Sequence, residues 1–185
     1  MPLSWTDIDA LIEAEVAGER FACRAGCAWC CHQLVVLTNW DDGREILRRA
    51  RARMSPARYR QFVSEVRRQA RAIEALGHAE AEGRRWPCPL LDNDRCTVYE
   101  VRPVACRSVF SRNADTCRAM MEHEDFAALT ETQQREATEI GERAFRLQVM
   151  INDRRRIDGP VELRALLARL LNEDPGSGRE SGTED

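Results

Sequence analysis

The sequence predicts a mainly α fold: a small helical domain that carries a cysteine-rich loop region and one short irregular or hairpin segment. Apolar residues recur at intervals of three and four over most of the chain, which is the period of an amphipathic helix. Helix-capping signals precede these stripes. The eight cysteines fall between the stripes, where loops are expected. A chain of 185 residues is long enough to form one domain.

Five helix starts follow from capping chemistry and proline placement. A serine or threonine followed three residues later by an acid or amide is a capping signal, and proline is favourable at the first helical position. The predicted starts are Ser4 with Asp7, Thr38 with Asp41, Ser55-Pro56, Thr130 with Gln133, and Gly159-Pro160. The stripes behind them are expected to share one core; the stripe after Ser55 contains Phe62, Val66 and Ile73.

Three segments lack helical periodicity. Leu34 to Leu37 is a short apolar run that is expected to be extended. Pro87 to Pro103 contains the turn-like Asp92-Asn93-Asp94, which predicts a tight hairpin or loop. We expect one domain over residues 1–172, with a cysteine-rich region at 21–117 and C-terminal helices at 130–172. Residues 173–185 are polar and are expected to be a disordered tail.

The composition argues against a membrane protein. The chain has no apolar run near the ~20 residues that a membrane helix needs. The segment from Met1 to Glu15 is acidic and lacks the basic start and continuous apolar stretch of a secretory signal. We therefore expect a cytoplasmic protein without a membrane partner.

Eight cysteines are many for a chain of this length in a reducing compartment. Clustered cysteines there are more often metal ligands than disulfides. We therefore favour metal binding over thiol redox chemistry and over unrelated buried thiols. The candidate metal ligands are a tight quartet and four later residues: Cys23, Cys27, Cys30, Cys31, Cys88, Cys96, Cys106 and Cys117. A bound metal would hold together the loops that carry these cysteines.

The cysteine spacing leaves zinc and iron open. Cys30 and Cys31 are adjacent, and neighbouring side chains rarely reach one ion, so the pair indicates two centres or one centre with a second thiol beside it. Eight thiolates could fill two tetrahedral zinc sites, or one 4Fe-4S cluster with four thiols left over. The C-x3-C-x2-C run from Cys23 favours an iron–sulfur cluster. Radical S-adenosylmethionine enzymes have the same run, but their partial α/β barrel does not match a helical chain.

Three segments resemble the YkgJ-type CxxCxxCC family of zinc- or iron-chelating proteins. They are the quartet Cys23 to Cys31, Cys88-Pro89-Leu90-Leu91, and Cys96 to Arg107 with Tyr99-Glu100-x-Arg102-Pro103. The resemblance covers Phe21 to Cys117 and implies a zinc- or iron-binding domain whose cysteines are the ligands. The first spacing here has three residues instead of two, and Cys117 lies beyond the shared motif.

The family is similar over its cysteine region to flagellin lysine N-methylases, which are associated with an iron–sulfur centre. The main hypothesis is a metal-binding protein that stores, delivers or senses metal, or transfers electrons. The alternatives are a cluster- or zinc-dependent group-transfer enzyme of the methyl-transfer kind, and a structural zinc module that presents its helices to a partner. No catalytic triad, phosphate loop or metalloprotease motif is present, so the sequence leaves enzymatic activity open.

Arg102 and Arg107 are the candidate cofactor-contacting residues. They flank Pro103, which is expected to open a short helix. A guanidinium there can donate hydrogen bonds to a thiolate or cluster sulfur. A salt bridge to Glu100 or to a helix carboxylate is the equally weighted alternative.

A metal ion is the expected partner, and nucleic acid is not. The arginines between residues 44 and 71 spread around their helix and do not form one basic face. The chain is slightly acidic overall, with a formal net charge of -3. The histidines, His32, His78 and His123, are expected to lie outside the ligand set.

Overall fold

The computed structural model describes residues 3–32, 36–82, 84–123, 126–157, 159 and 161–173, and the mainly helical fold is confirmed. The helices in the described residues are α1 Trp5–Glu15, α2 Trp40–Arg53, α3 Pro56–Leu76, α4 His78–Glu82, α5 Val104–Arg107, α6 Ala114–Glu122, α7 Glu131–Arg155 and α8 Leu163–Glu173. Short 3₁₀ turns cover Trp29–His32, Tyr99–Val101 and Phe126–Ala128. Most of the predicted tail, residues 174–185, lies outside the described residues, while Glu173 ends α8.

Three of the predicted helix starts are confirmed. Ser4 caps α1 and Thr130 caps α7, each in a reciprocal capping box with the side chain three residues on. Ser55 accepts a hydrogen bond from the Arg58 N–H and caps α3, and Pro56 occupies the first helical position. These caps satisfy backbone donors that have no partner within the helix.

Two predicted starts are wrong by a few residues. Asn39, and not Thr38, caps α2, because its side-chain oxygen accepts from two N–H groups of the first turn. Thr38 lies in a strand instead. The last helix begins at Leu163 and not at Gly159-Pro160, because the residues before it pair as a strand.

Two short antiparallel ribbons connect the helices. Strand β1 (Leu37–Thr38) pairs with the last strand, β4 (Val161–Glu162), and the Leu163 N–H donates to the Val36 carbonyl at 2.7 Å. This ribbon ties the end of the cysteine quartet segment to the start of α8. The rest of the predicted extended run, residues 34 and 35, lies outside the described residues.

The predicted hairpin is present between residues 91 and 96. Strand β2 (Leu91–Asp92) pairs with β3 (Arg95–Cys96). Asn93 and Asp94 form the turn with positive φ angles of 47° and 58°. Asn and Asp tolerate this left-handed geometry better than other side chains except glycine, which explains why they occupy the turn.

The main core lies where α8 packs against α2 and α3. Its buried residues include Val36, Ile46, Ala50, Phe62, Val63, Val66, Leu163, Leu167 and Leu171. Gly43 allows α2 to approach α8 closely, since a Cβ there would lie 2.8 Å from Leu166 Cδ2. A second cluster packs Ile8 and Ile12 of α1 against Leu147 and Ile151 of α7.

Of two buried ion pairs, the first joins α7 to α2 and the second is local to the start of α8. Arg155 of α7 donates to both carboxylate oxygens of Asp42 in α2, at 2.9 and 2.7 Å. Arg164 of α8 donates to Glu162 at 3.0 Å. Within the described residues, none of the helices combines the length and apolarity that crossing a bilayer requires.

Candidate metal centre

The quartet loop turns sharply before its last two cysteines. Gly26 has a φ of 84°, a left-handed geometry that favours glycine. The Cys27 N–H donates to the Arg24 carbonyl and the Cys31 N–H donates to the Ala28 carbonyl, both at 2.9 Å. The 3₁₀ turn Trp29–His32 then carries both adjacent cysteines. The loop therefore presents several thiols within a short length of chain.

Backbone hydrogen bonds join this loop to the segment around Cys88. The Cys88 N–H donates to the Cys31 carbonyl, and the Trp86 N–H donates to the His32 carbonyl, both at 2.8 Å. After Cys88 the chain turns into the hairpin, where Cys96 pairs with Leu91. The fold thus brings three sequence-distant parts of the predicted motif together.

Polar side chains from the helices hydrogen-bond to the backbone of the segment around Cys88. Gln69 and Arg164 are almost completely buried, and Gln69 also accepts a hydrogen bond from Arg164 Nε at 2.5 Å. The contacts to the segment are Gln69 Nε2 to Pro87 O at 2.7 Å, Arg164 Nη2 to Trp86 O at 2.8 Å, and Arg58 Nη2 to Pro89 O and Leu91 O at 2.8 and 2.6 Å. No local sequence motif marks Gln69, Arg164 or Arg58, so the sequence does not predict their role.

The first thiol group contains Cys23, Cys27, Cys30 and Cys117. Burial is the main cause that raises the pKa of Cys117, and the thiols of the other three members raise it further. Ser111 contacts both ends of the group: its N–H lies 3.4 Å from Cys23 Sγ, and its hydroxyl hydrogen-bonds Cys117. Cys117 lies inside α6, which corrects the expectation that the cysteines occupy only irregular segments.

The second thiol group contains Cys31, Cys88, Cys96 and Cys106. Burial is the main cause that raises the pKa of Cys106, and the neighbouring thiols of Cys88, Cys30 and Cys96 add to it. Burial also raises the pKa of Cys96 to about 11, with a further contribution from Cys88. Such thiols remain protonated at neutral pH unless a cation lies beside them.

The adjacent cysteines lie at the junction of the two groups. A hydrogen bond from Cys31 is the main cause that lowers the pKa of Cys30 to about 7. The same bond is the main cause that raises the pKa of Cys31, which therefore keeps its proton. Cys31 faces Cys88 and Cys106, whereas Cys30 interacts with members of both groups. The pair therefore lies between the two groups, and its two thiols hydrogen-bond each other.

Two guanidinium groups lie beside the thiols, and each has a buried nitrogen that finds no acceptor among the described residues. Arg102 interacts with Cys30, Cys96 and Cys106 and stacks on Tyr99 at 3.7 Å, and its Nη1 lacks a partner within the part of the chain that the structure describes. Arg143 interacts with Cys23, and the described residues offer no partner to its buried Nε either. Thiolates or inorganic sulfide would supply the missing acceptors, so the donors fit an anionic sulfur-rich centre.

Arg107 makes a different set of contacts from those of Arg102. Its Nε donates to the Arg102 carbonyl at 2.9 Å, and its two other nitrogens donate to the Asp9 carboxylate and the Glu100 carbonyl. The side chain is almost fully buried against Trp5. These contacts favour the structural alternative for Arg107, a salt bridge that joins α5 to α1.

All eight cysteines are free thiols. Among the described residues, no three His, Cys, Asp or Glu side chains are already spaced as metal ligands. Metal binding would therefore draw the sulfurs of each group closer together. His32 lies 3.8 Å from Asp94, on the side of the hairpin turn, and does not join either group.

A family model matches the cysteine-bearing part of the chain. The family model CxxCxxCC, described as "Putative zinc- or iron-chelating domain", matches residues 22–140. The matched region contains all eight cysteines and extends beyond Cys117 into α7. No curated protein and no solved structure matches the chain.

Proposed function

The chain belongs to the CxxCxxCC family, and we propose that it binds zinc or iron through two groups of cysteine thiolates, with an iron–sulfur centre favoured in the first group. The observation that carries the proposal is that free thiols from five parts of the chain lie close enough to shift one another's pKa. A thiolate needs a nearby cation to form at these buried positions, and a bound metal ion provides it.

The ligand set that we propose has four members in each group. Cys23, Cys27, Cys30 and Cys117 would hold one centre, and Cys31, Cys88, Cys96 and Cys106 the other. Four thiolates complete a tetrahedral zinc site or the terminal ligands of a four-iron cluster. Assigning Cys30 and Cys31 to different centres accounts for their adjacency, because neighbouring side chains do not have to reach one ion.

The first group suits an iron–sulfur cluster. Three of its cysteines come from one loop that turns at Gly26, and Cys117 reaches it from α6. Arg143 lies beside Cys23 and Arg102 beside Cys30, so positive charge offsets the negative charge of a thiolate-ligated centre. When bound, a cluster with four cysteine ligands would supply electron transfer.

A group-transfer enzyme is the second candidate function. Cys23 is exposed, so one side of the first group faces solvent. Catalytic metal sites keep a position open, whereas structural sites are closed by protein ligands. Four cysteine ligands would close the first centre, so this candidate requires substrate to displace one of them, and the exposed Cys23 is the ligand placed for that.

We further propose that residues 1–172 act as one metal-binding domain in the cytoplasm. The main core joins α8 to α2 and α3, and buried side chains of α3 and α8 hold the Cys88 segment. Eight free thiols persist in a reducing compartment, where disulfides are rare. The metal ion is the proposed partner, and no nucleic-acid role is proposed.

The test is metal and sulfide analysis of protein purified without oxygen, together with serine variants. The wild type is expected to be brown, to absorb near ~400 nm, and to contain iron and acid-labile sulfide. Cys23→Ser and Cys117→Ser should lose one centre, and Cys96→Ser and Cys106→Ser should lose the other. Ala22→Ser introduces a hydroxyl into the same loop without removing a thiol and should keep both centres.

Double variants sharpen the ligand assignment. A variant with two serines in the same group should lose no more metal than a variant with one serine in that group. A variant with one serine in each group should lose both centres. A colourless protein with tightly held zinc would overturn the iron–sulfur assignment while leaving metal binding intact. Unchanged metal content in all four single variants would overturn the proposed function.

A further inference from the structure

An apolar cavity of about 290 Å³ lies beside the first thiol group. Its wall includes the sulfur-bearing side chains of Cys30 and Cys117. One face of α7 also lines it, together with Val36, Ala105 and Met120. We call this space the α7 cavity. Among the described residues, no charged side chain lines it. Apart from the two thiols, the polar side chain in the described wall of the cavity is that of Gln148.

Small residues on α7 create the space. Ala137, Gly141 and Ala144 follow one another at helical spacing and all face the cavity. A Cβ at Gly141 would meet nothing within 4 Å. Glycine is less favourable than alanine inside a helix, so packing alone does not explain it at this position. Large side chains along this face would fill the cavity.

We propose that the α7 cavity binds a neutral, apolar small molecule of about eight to twelve non-hydrogen atoms. The volume is about twice that of an engineered apolar cavity of about 150 Å³ that binds benzene. An anionic ligand would lose its hydration without finding a positive charge in the described wall, and it would lie against Cys30, whose pKa is lowered to about 7. Binding rests on the cavity alone, whereas contact between the ligand and a metal centre rests on the proposed function.

The bound molecule would lie against Cys30 and Cys117, two members of the first thiol group. Phe145 lines the same cavity and is 68% exposed, which places an aromatic ring at its opening. A partly exposed aromatic ring at an opening gives an apolar ligand a contact on entry. The cavity is therefore positioned to bring an apolar substrate or effector to the edge of the centre.

The test measures binding of indole, a neutral bicyclic probe, by isothermal titration calorimetry to the metal-loaded full chain. Two matched variants place the same leucine on consecutive residues of α7. Both positions are exposed, but Gly141 lines the cavity and Glu142 does not, so Gly141→Leu places its side chain against the cavity and Glu142→Leu places it outside. We expect saturable binding by the wild type and by Glu142→Leu, and a dissociation constant at least tenfold higher for Gly141→Leu. Indole-3-acetate should bind at least tenfold more weakly than indole.

Methyl NMR locates the probe within the chain. The chain has five methionines, and Met120 lines the cavity whereas Met54 belongs to the main core. Indole should shift the Met120 methyl resonance and leave that of Met54 unchanged. Equal binding to both leucine variants, absence of binding by the wild type, or equal binding of indole-3-acetate would overturn the proposal.

Metal content and oligomeric state are measured on the same samples. Normal metal content without indole binding would overturn the cavity proposal alone. Indole binding to a protein that holds no metal would overturn the proposed function alone. A different result would be a wild-type dimer that does not bind indole and that becomes a monomer in Gly141→Leu. It would show that a second copy covers the cavity and would overturn the ligand proposal.

Discussion

Replacing Gln69 with methionine tests how the helices position the segment around Cys88. Gln69 is fully buried in α3 and makes three hydrogen bonds. Its Nε2 donates to Pro87 O at 2.7 Å and to Glu65 Oε1 at 2.6 Å, and its Oε1 accepts from Arg164 Nε at 2.5 Å. Methionine has nearly the same length and volume, so the change removes the hydrogen bonds and leaves little cavity.

The expected loss of unfolding free energy is about 3 kcal/mol. The neutral bond to Pro87 contributes about 1 kcal/mol and the bond from charged Arg164 about 1.5–3 kcal/mol. The bond to Glu65 adds little, because that partly exposed carboxylate keeps its pair with Arg68. The buried Pro87 carbonyl and Arg164 Nε also lose a partner that methionine does not replace. In a chain of this size such a loss corresponds to a melting temperature about 6–12 °C lower.

Urea denaturation of metal-free, reduced protein is the suitable assay, because bound metal would add its own binding energy to the measured stability. The matched control is Gln134→Met, which removes one hydrogen bond to Leu129 O on a half-buried surface and should cost less than about 1 kcal/mol. Gln69→Met should also lower metal occupancy of the second thiol group. A stability loss no larger than that of Gln134→Met would refute the view that this network holds the segment.

Two further perturbations test other polar contacts. Asp42→Asn weakens the buried, bidentate pair with Arg155 and should lower the unfolding free energy by about 3 kcal/mol, measured by denaturant titration. The control is Asp41→Asn, at an exposed pair with Arg44, which should change stability little. Equal effects of the two variants would contradict the importance of burial. The hydrogen bond from Arg68 is the main cause that lowers the pKa of Glu65 below its ordinary value of 4.5. Its contribution to stability is therefore fully present above the ordinary value and is lost as the pH falls through the lowered one. Urea midpoints measured between about pH 3 and 7 should fall less steeply for Glu65→Gln than for the wild type, and parallel curves would exclude the contribution.

Helix positions were predictable because their determinants are local. A capping box involves residues three apart, and an apolar stripe records the burial of one face, so α1, α3 and α7 follow from short windows of sequence. The start of α2 was predicted one residue early. Thr38 and Asn39 are both good capping residues, and the pairing of β1 with distant β4 assigns Thr38 to a strand.

The candidate site could be predicted in composition but not in arrangement. The spacing of the cysteines identified all eight thiols as candidate ligands, whereas their division into two groups depends on where α6 and the hairpin pack. Cys117 illustrates the limit, because only the packing of α6 shows that it faces Cys23 and Cys27. Gln69 and Arg164 had no sequence signal, because a buried polar residue in a helix resembles an exposed one until its partners are known.

The two backbone hydrogen bonds between Cys31–His32 and Trp86–Cys88 affect how metal could be exchanged. Closing a loop of this length costs about 4 kcal/mol of chain entropy. In many small zinc domains the metal itself must offset that cost, so that removing the ion dissolves the fold. Here amide groups and the side chains of α3 and α8 hold the loop closed, and none of these groups belongs to the proposed ligand set. If the chain binds metal as proposed, we expect the polypeptide to stay folded when the ion leaves or enters, as a protein that passes its ion to an acceptor would require.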